Sequence, residues 1–351
     1  MSSADTAIAG GGIIGLATAL ELAATGQRVI VFDRGEAMSE ASRAAAGMLA
    51  GTDPEHPPEL LDLARFSLSL YPDFLERIEH LSGAKVPIRT RSTLQGLATP
   101  RPEASPLSEQ QVQELAPGAR SDRWHFYLME ELSFDAWDLA EALPPAARAA
   151  GIDLREYTPV TGFAAANGSV DVDTSTGRVS AGAFLNATGA WARNLHAGIP
   201  VGPRKGHMLT VELLGVKQMQ CVLRTPDVYI VPRGGCRYTI GPTLEDAGFD
   251  KEVYPDRIHE LFRRALDLWP LLREARIAET WTGLRPASSD GLPIMGLTGE
   301  RCWIATGHFK NGILLGPGTA RVLSESLTGR VPSIDLSRFR LERFQAAAVS
   351  S

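Results

Sequence analysis

The segment TAIAGGGIIGLATALELAATGQRVIVFDR, residues 6–34, limits the fold more than any other part of the chain. Thr6 to Ala9 reads as a short buried strand, and Gly10, Gly12 and Gly15 form a G-x-G-x-x-G turn behind it. Ile14, Ala17, Thr18, Leu20, Leu22 and Ala23 then recur as an apolar helix that Gly26 ends, and Val29 to Phe32 predicts a second strand. The three glycines serve different ends. The first permits the tight turn, the second lets a pyrophosphate approach the backbone, and the third lets helix and strand pack closely. Asp33 closes the second strand where an acid binds a ribose hydroxyl pair, and Arg34 follows it. Strand, glycine turn, helix, strand and acid in this order distinguish a dinucleotide site from a glycine-rich structural turn. The turn alone does not separate NAD from FAD, because both present an adenosine ribose and a pyrophosphate to it.

A chain of 351 residues, 44% of them hydrophobic, exceeds what one compact domain usually needs, so two domains are expected. The formal net charge of -6 leaves no basic footprint for nucleic acid. Cys221, Cys236 and Cys302 are scattered without a C-x-x-C pair, which predicts reduced thiols and no zinc site. The seven histidines form no H-E-x-x-H pattern, so no metal is expected. The run Ala7 to Ala24 contains four glycines and Glu21, unlike a signal peptide or a membrane span. A soluble, cytoplasmic protein that does not enter membranes is the expectation.

Further along, Leu60 to Leu81 predicts a helix bent or broken near Pro72. Residues 99–121 read as a proline-rich surface loop or a crossing between domains, with a capping box at Ser108 and Gln111. A hairpin is signalled at Ser175 to Gly177, and a second has Gly234 and Gly235 as its two-residue turn. Ile258, Leu261, Phe262, Ala265, Leu266 and Trp269 mark a core-facing helix. The closing CWIATG strand and a helix from about Gly312 suit the opening unit better than the hairpins. The fold class is therefore α/β plus α+β. A Rossmann-like nucleotide domain (1–84, 145–200 and 283–345) is interrupted by a mostly antiparallel sheet domain for substrate (85–144 and 201–282), with a disordered tail at 346–351.

Three places offer chemistry beyond the glycine turn. Arg285, fixed beside Pro286, presents a fork to a carboxylate, unless it forms a structural salt bridge with Asp290. Tyr229 heads a hairpin strand, where its phenol either packs or donates to a ligand. His308 and Lys310 precede the helix near Gly312, whose N-terminal N–H groups attract an anion or an electron-rich ring edge; the alternative is a loop histidine and a solvated lysine.

The motifs GGGIIGLATALELAATGQRVIVFDR, SRAAAGMLAG, NATGAW, VYIVPRGGCRYTIGPT, WTGLRPASSDGLPIMG and ATGHFKNGILLGPGTA resemble, in order and spacing, the D-amino-acid-oxidase-like flavoproteins. The similarity covers nearly the whole chain and is greatest to the glycine oxidase branch, which serves thiamine biosynthesis. It implies FAD rather than NAD, with the sheet domain over the flavin. By this resemblance Gly10, Gly12, Ile13, Ile14 and Gly15 form the phosphate turn, and Asp33 with Arg34 meets the adenosine ribose. Ser42 lies along the cofactor, and Ala46, Gly47 and Met48 lie beside the isoalloxazine. Val160 contacts the adenine through its backbone. His308, Phe309, Lys310, Asn311, Gly312, Ile313 and Leu314 form the segment near the flavin ring. Arg285 would hold the substrate carboxylate, assisted by Tyr229, with no side-chain base. Lys310 stands where the branch has arginine, also at the substrate site, and Arg43 where a small residue is usual. No cysteine matches the covalent flavin anchor of sarcosine oxidases, so noncovalent FAD is implied.

The activity implied is oxidation of glycine, and of small amines such as sarcosine or D-alanine, with O2 as acceptor, by a homo-oligomer, a tetramer in that branch. A D-amino acid or sarcosine dehydrogenase using another acceptor, and a noncatalytic flavin-binding regulatory protein, are the alternatives.

Overall fold

The computed structural model describes residues 4–166 and 168–344, and the tail expected to be disordered lies outside the described residues. The opening unit forms as its sequence dictates: strand Ala4–Ala9, helix Ile13–Ala24 and strand Val29–Phe32, the helix ending at Thr25 and Gly26, the latter in the left-handed region (φ +84°). These strands join an eight-stranded sheet whose main order is Ile294–Gly299, Cys302–Thr306, Gly177–Asn186, Ala4–Ala9, Val29–Phe32, Asp153–Arg155. The five strands from Cys302–Thr306 to Asp153–Arg155 run parallel, so CWIATG does return to the opening unit. Hairpin Ser169–Thr174 to Gly177–Asn186 adds antiparallel strands to the same sheet.

The second sheet has seven strands, in the order Arg276–Ser288, Val201–Glu212, Arg237–Gly241, Tyr229–Gly234, Val222–Arg224, Thr93–Leu97, His125–Met129. All its pairings are antiparallel except that of Val222–Arg224 with Thr93–Leu97. Helix Pro255–Leu268 and Trp269 pack on it, the fully buried indole donating to the Pro117 carbonyl at 2.8 Å. A three-stranded sheet, Met48–Leu49, Leu132–Phe134 and Ile88–Thr90, completes the set.

Some sequence expectations shift. Helix Leu61–Ser82 continues through Pro72 without a break. The segment 99–121 joins two neighbouring strands of one sheet, so it is no crossing between sheets; its helix Glu109–Leu115 carries the expected box of Ser108 and Gln111. The hairpin turn predicted at Gly234–Gly235 falls one residue later. Gly234 pairs with Arg237 across a bulge, leaving Gly235 (φ +58°) and Cys236 (φ +68°) as the two turn residues with the positive φ such a turn needs. The three cysteines are free thiols, and among the described residues no helix is long and apolar enough to cross a membrane.

Helix Gly312–Leu327 decides how the opening unit is closed. Pro317 lies inside it, fully enclosed, and has no N–H to give the Ile313 carbonyl one turn earlier. The Tyr71 hydroxyl, from helix Leu61–Ser82, donates to that carbonyl instead. Ser67 repairs the next rung, donating to the Leu314 carbonyl at 2.7 Å and accepting from the Gly318 N–H at 2.9 Å. The three helices approach closely at glycines: a Cβ on Gly316 would press on Ile13 at 2.8 Å and one on Gly318 on Ser67 at 2.8 Å. Leaving a buried carbonyl unpaired costs about 1–3 kcal/mol, so Tyr71→Phe should lower stability by about that amount in thermal or denaturant unfolding. In a Pro317→Ala background, where residue 317 regains an N–H, the same change should cost far less. Equal costs in both backgrounds would refute the role given to Tyr71.

Candidate active site

One cavity of about 880 Å³ runs between the two large sheets. That volume lies near the top of the ~300–1,000 Å³ typical of small-molecule sites. Every residue expected to touch cofactor or substrate lines it, with the exception of Gly15. Gly15 sits behind the turn, where a Cβ would strike the Gly10 carbonyl, in keeping with a role in packing. Gly10 adopts φ +108° against the Ala187 carbonyl, a position closed to other residues both by conformation and by space.

At one end, the Asp33 carboxylate accepts from the Gly11 N–H at 2.7 Å and the Gly35 N–H at 2.9 Å, while burial pushes its pKa up. Arg34 lies over the Trp191 ring at 3.5 Å and pairs with Glu40 at 2.6 Å. Val160 begins a strand at this end. In the middle, helix Ile13–Ala24 opens with no capping side chain, and the Ser42 hydroxyl accepts from the Ile13 N–H at 3.0 Å. Helix Gly312–Leu327 opens on the same cavity, also uncapped, because the Asn311 amide oxygen faces the His56 ring nitrogen at 3.0 Å. Two uncapped N-termini and a glycine turn without side chains suit a pyrophosphate and an electron-rich ring edge. The residues therefore fit a dinucleotide cofactor, FAD among them.

Around this second helix start the chain is fixed tightly. Phe309 sits in the left-handed region at φ +47°, unusual for a residue with a side chain. His308 is buried against Thr319, Nε2 to Oγ1 at 3.1 Å, and burial pushes its pKa down to about 3. Lys310 points to the cavity mouth, its ammonium paired with Glu55 at 2.7 Å. Arg43 does not line the cavity; its guanidinium lies over the Trp137 ring at 4.5 Å.

The far end is built by the seven-stranded sheet. Arg285 and Arg204 face each other across paired strands, and Gly206 beside them leaves the space that the Arg285 guanidinium fills. The Arg285–Asp290 salt bridge weighed from sequence does not form, because Asp290 pairs with Arg343 at 2.7 Å. Among the described residues Arg285 has no carboxylate partner; its guanidinium makes a long 3.4 Å contact to the Thr243 carbonyl and meets the Tyr229 side chain. Tyr229 stands next to it: burial raises the phenol pKa and the guanidinium opposes that shift, so the hydroxyl stays a protonated donor. A half-buried cation without a counter-ion beside a neutral phenol has the chemistry to accept one carboxylate.

Sequence reasoning missed the supports of this end. Lys205 and His207, both fully enclosed, pin the segment after residue 242 through Asp250 at 2.5 Å and Glu245 at 2.8 Å, and that segment supplies Thr243, Leu244 and Glu245 to the wall. Arg224, with Gln95 and Glu131, forms another buried polar group there. A lysine and a histidine two positions apart, leading into the apolar run of the same strand, were the available signal.

A glycine turn of dinucleotide-binding type and an arginine without a carboxylate partner open on one cavity, the arrangement of a dinucleotide-binding protein. The chain belongs to the family of FAD dependent oxidoreductases, whose model matches residues 5–326. It is 34% identical to a glycine oxidase of Geobacillus kaustophilus over 365 residues, spanning 97% of each chain. The crystal structure of glycine oxidase from that organism superimposes with a TM-score of 0.92 at 32% identity, covering 98% of this chain and 99% of the other. A bifunctional ThiO/ThiG protein of Trichormus variabilis is 36% identical over 366 residues, 98% of this chain, yet the chain spans just 56% of that relative's length.

The enclosed histidines set a pH dependence. His308, and with it His56 and His207, is held below the ordinary histidine value, first of all by burial. Below about pH 6.5 the unfolded chain takes up protons that the folded protein refuses, so stability is full above that pH and declines toward the folded value of about 3. His308→Gln should flatten the fall of the unfolding midpoint between pH 6.5 and 4, where one such group contributes up to about 1.4 kcal/mol per pH unit. An unchanged slope would show that His308 is not the group that titrates.

Proposed function

We propose that the protein is a glycine oxidase. It converts glycine, O2 and water into glyoxylate, ammonia and hydrogen peroxide, accepts other small amines such as sarcosine and D-alanine, and supplies its imine product or glyoxylate to thiamine thiazole formation. The observation that carries this reading is Arg285, which lines the cavity beside Tyr229 without a carboxylate of its own. Family membership and the similarity to full-length glycine oxidases support it.

FAD, held noncovalently, supplies two-electron redox chemistry when bound, with O2 as the final acceptor. The protein's own share is orientation and electrostatics. The turn from Gly10 to Ile14 and the adjoining Ser42 would cradle the pyrophosphate, Asp33 and Arg34 the adenosine ribose, and Val160 the adenine. Ala46, Gly47, Met48 and His308 to Leu314 would enclose the ring. Arg285 binds the substrate carboxylate with Tyr229 donating a second hydrogen bond, which fixes the α-carbon and its amine toward the ring. No side-chain base is assigned; the amine reacts as the neutral form. Lys310 acts on the substrate from the mouth, where its pairing with Glu55 tempers its charge. The proposed domains are 1–84, 145–200 and 283–345 for the cofactor and 85–144 and 201–282 for the substrate, with Arg285 and Lys310 reaching the substrate from the cofactor part.

Anaerobic glycine should bleach the visible flavin absorbance of the purified protein, and oxygen uptake should then proceed without an added dye. Failure of glycine, sarcosine and D-alanine alike to bleach it would refute the reading. Arg285→Ala should raise KM for glycine by roughly 10- to 100-fold or more, the factor that corresponds to losing about 1.5–3 kcal/mol of charge-assisted hydrogen bonding. An unchanged KM would remove Arg285 from the carboxylate site.

A further inference from the structure

The charged side chains along the cavity are matched almost throughout. Arg34 pairs with Glu40 at 2.6 Å and Lys310 with Glu55 at 2.7 Å, while Asp33 is held by backbone N–H groups. Apart from Asp33, two of the charged lining residues stand without an ion-pair partner among the described residues: Arg285 and Asp227. Asp227 has no hydrogen bond either, and its side chain is exposed in the turn that joins strand Val222–Arg224 to strand Tyr229–Gly234. It precedes Tyr229 by two residues, which limits the separation of their α-carbons to about 7 Å. Tyr229 in turn adjoins Arg285. The anion receptor and the unmatched carboxylate are therefore neighbours on one wall of one cavity.

Among the described residues no cation forms an ion pair with Asp227, and the cation in its neighbourhood, Arg285, is the one that a ligand carboxylate would neutralise. Arg224, three residues before it, is the buried positive charge of that strand, and it faces two carboxylates, Glu131 at 3.1 Å and Asp53 at 3.9 Å. That group carries a net negative charge of its own and adds to the effect. A ligand whose carboxylate sits on Arg285 and Tyr229 extends its remaining atoms into this negative field. A neutral or cationic extension is tolerated there. A second carboxylate meets like charge, at a separation where repulsion survives in part despite exposure to water.

We propose that Asp227 is a specificity-determining residue that restricts the site to substrates with a single carboxylate. The inference rests on Arg285 as the carboxylate receptor, and so on the proposed function. It adds that acidic amino acids and N-carboxymethyl amines are rejected by charge, over and above any rejection by size.

Binding alone tests this, without turnover. The FAD-loaded protein is titrated with butyrate and with succinate, acids of equal chain length that differ by one carboxylate, and the shift of the visible flavin band gives each Kd. Wild type should bind succinate more weakly than butyrate. Asp227→Asn should improve succinate relative to butyrate by about 3- to 10-fold and Asp227→Arg by more, with both gains shrinking at high salt. Retained FAD and an unchanged unfolding midpoint qualify the variants, and Asp227→Asn decides alone if the arginine variant does not fold. A succinate-to-butyrate ratio constant within about twofold in the variants would overturn the proposal, as would a flavin band that neither acid shifts in any of the proteins. A protein that glycine fails to reduce, yet whose ratio shifts as expected, would refute the oxidase reading while leaving the role of Asp227 intact.

Discussion

The repaired hydrogen-bond ladder of helix Gly312–Leu327 is the contact on which the site depends. Pro317 opens the ladder, and Tyr71 and Ser67 from helix Leu61–Ser82 fill the gap. The exchange anchors two helices by polar groups inside an apolar core, where an unpaired carbonyl would be costly. It also sets which way the closing helix points. With Gly316 against Ile13 and Gly318 against Ser67, its N-terminus comes to rest beside the start of helix Ile13–Ala24. Two positive helix ends from opposite extremes of the chain then open on the same cavity.

The substrate end uses the opposite strategy, with long strands in place of helices. Strands Val201–Glu212 and Arg276–Ser288 pair along almost their whole length. One edge of this ribbon holds the wall segment through Lys205 and His207, and the other reaches the cofactor side, where the Trp281 indole donates to the Ala44 carbonyl at 3.2 Å. Arg285 is thus placed by a rigid element that touches both halves. Its position relative to the phosphate turn does not rest on loop conformation, which suits a reaction controlled by orientation.

How much was legible in the sequence follows from the distance over which each feature is encoded. The opening unit was legible to the residue at its second strand, because glycine turns, helix ends and acids act over a few neighbours. The capping box of Ser108 and Gln111 was legible for the same reason. The second hairpin was misplaced by one residue, since two adjacent glycines satisfy the local rule equally and only pairing with Arg237 decides between them. At Pro72 the helix is not broken, the proline's cost being absorbed in a helix held by packing. The site residues were named largely through family likeness, and their surroundings stayed hidden. That Arg343 takes Asp290, that Tyr71 serves Ile313, and that Lys310 meets Glu55 are contacts across 53, 242 and 255 positions, which no periodicity records.

Gly206 shows what such distance means at the substrate end. A Cβ there would overlap the guanidinium of Arg285, so the glycine and the arginine are a single determinant written at two places 79 positions apart, 285 minus 206. A side chain at position 206 would force the guanidinium, the mobile end of Arg285, to shift. The bare position on the neighbouring strand is therefore the imprint of the Arg285 side chain, written on a different stretch of the chain.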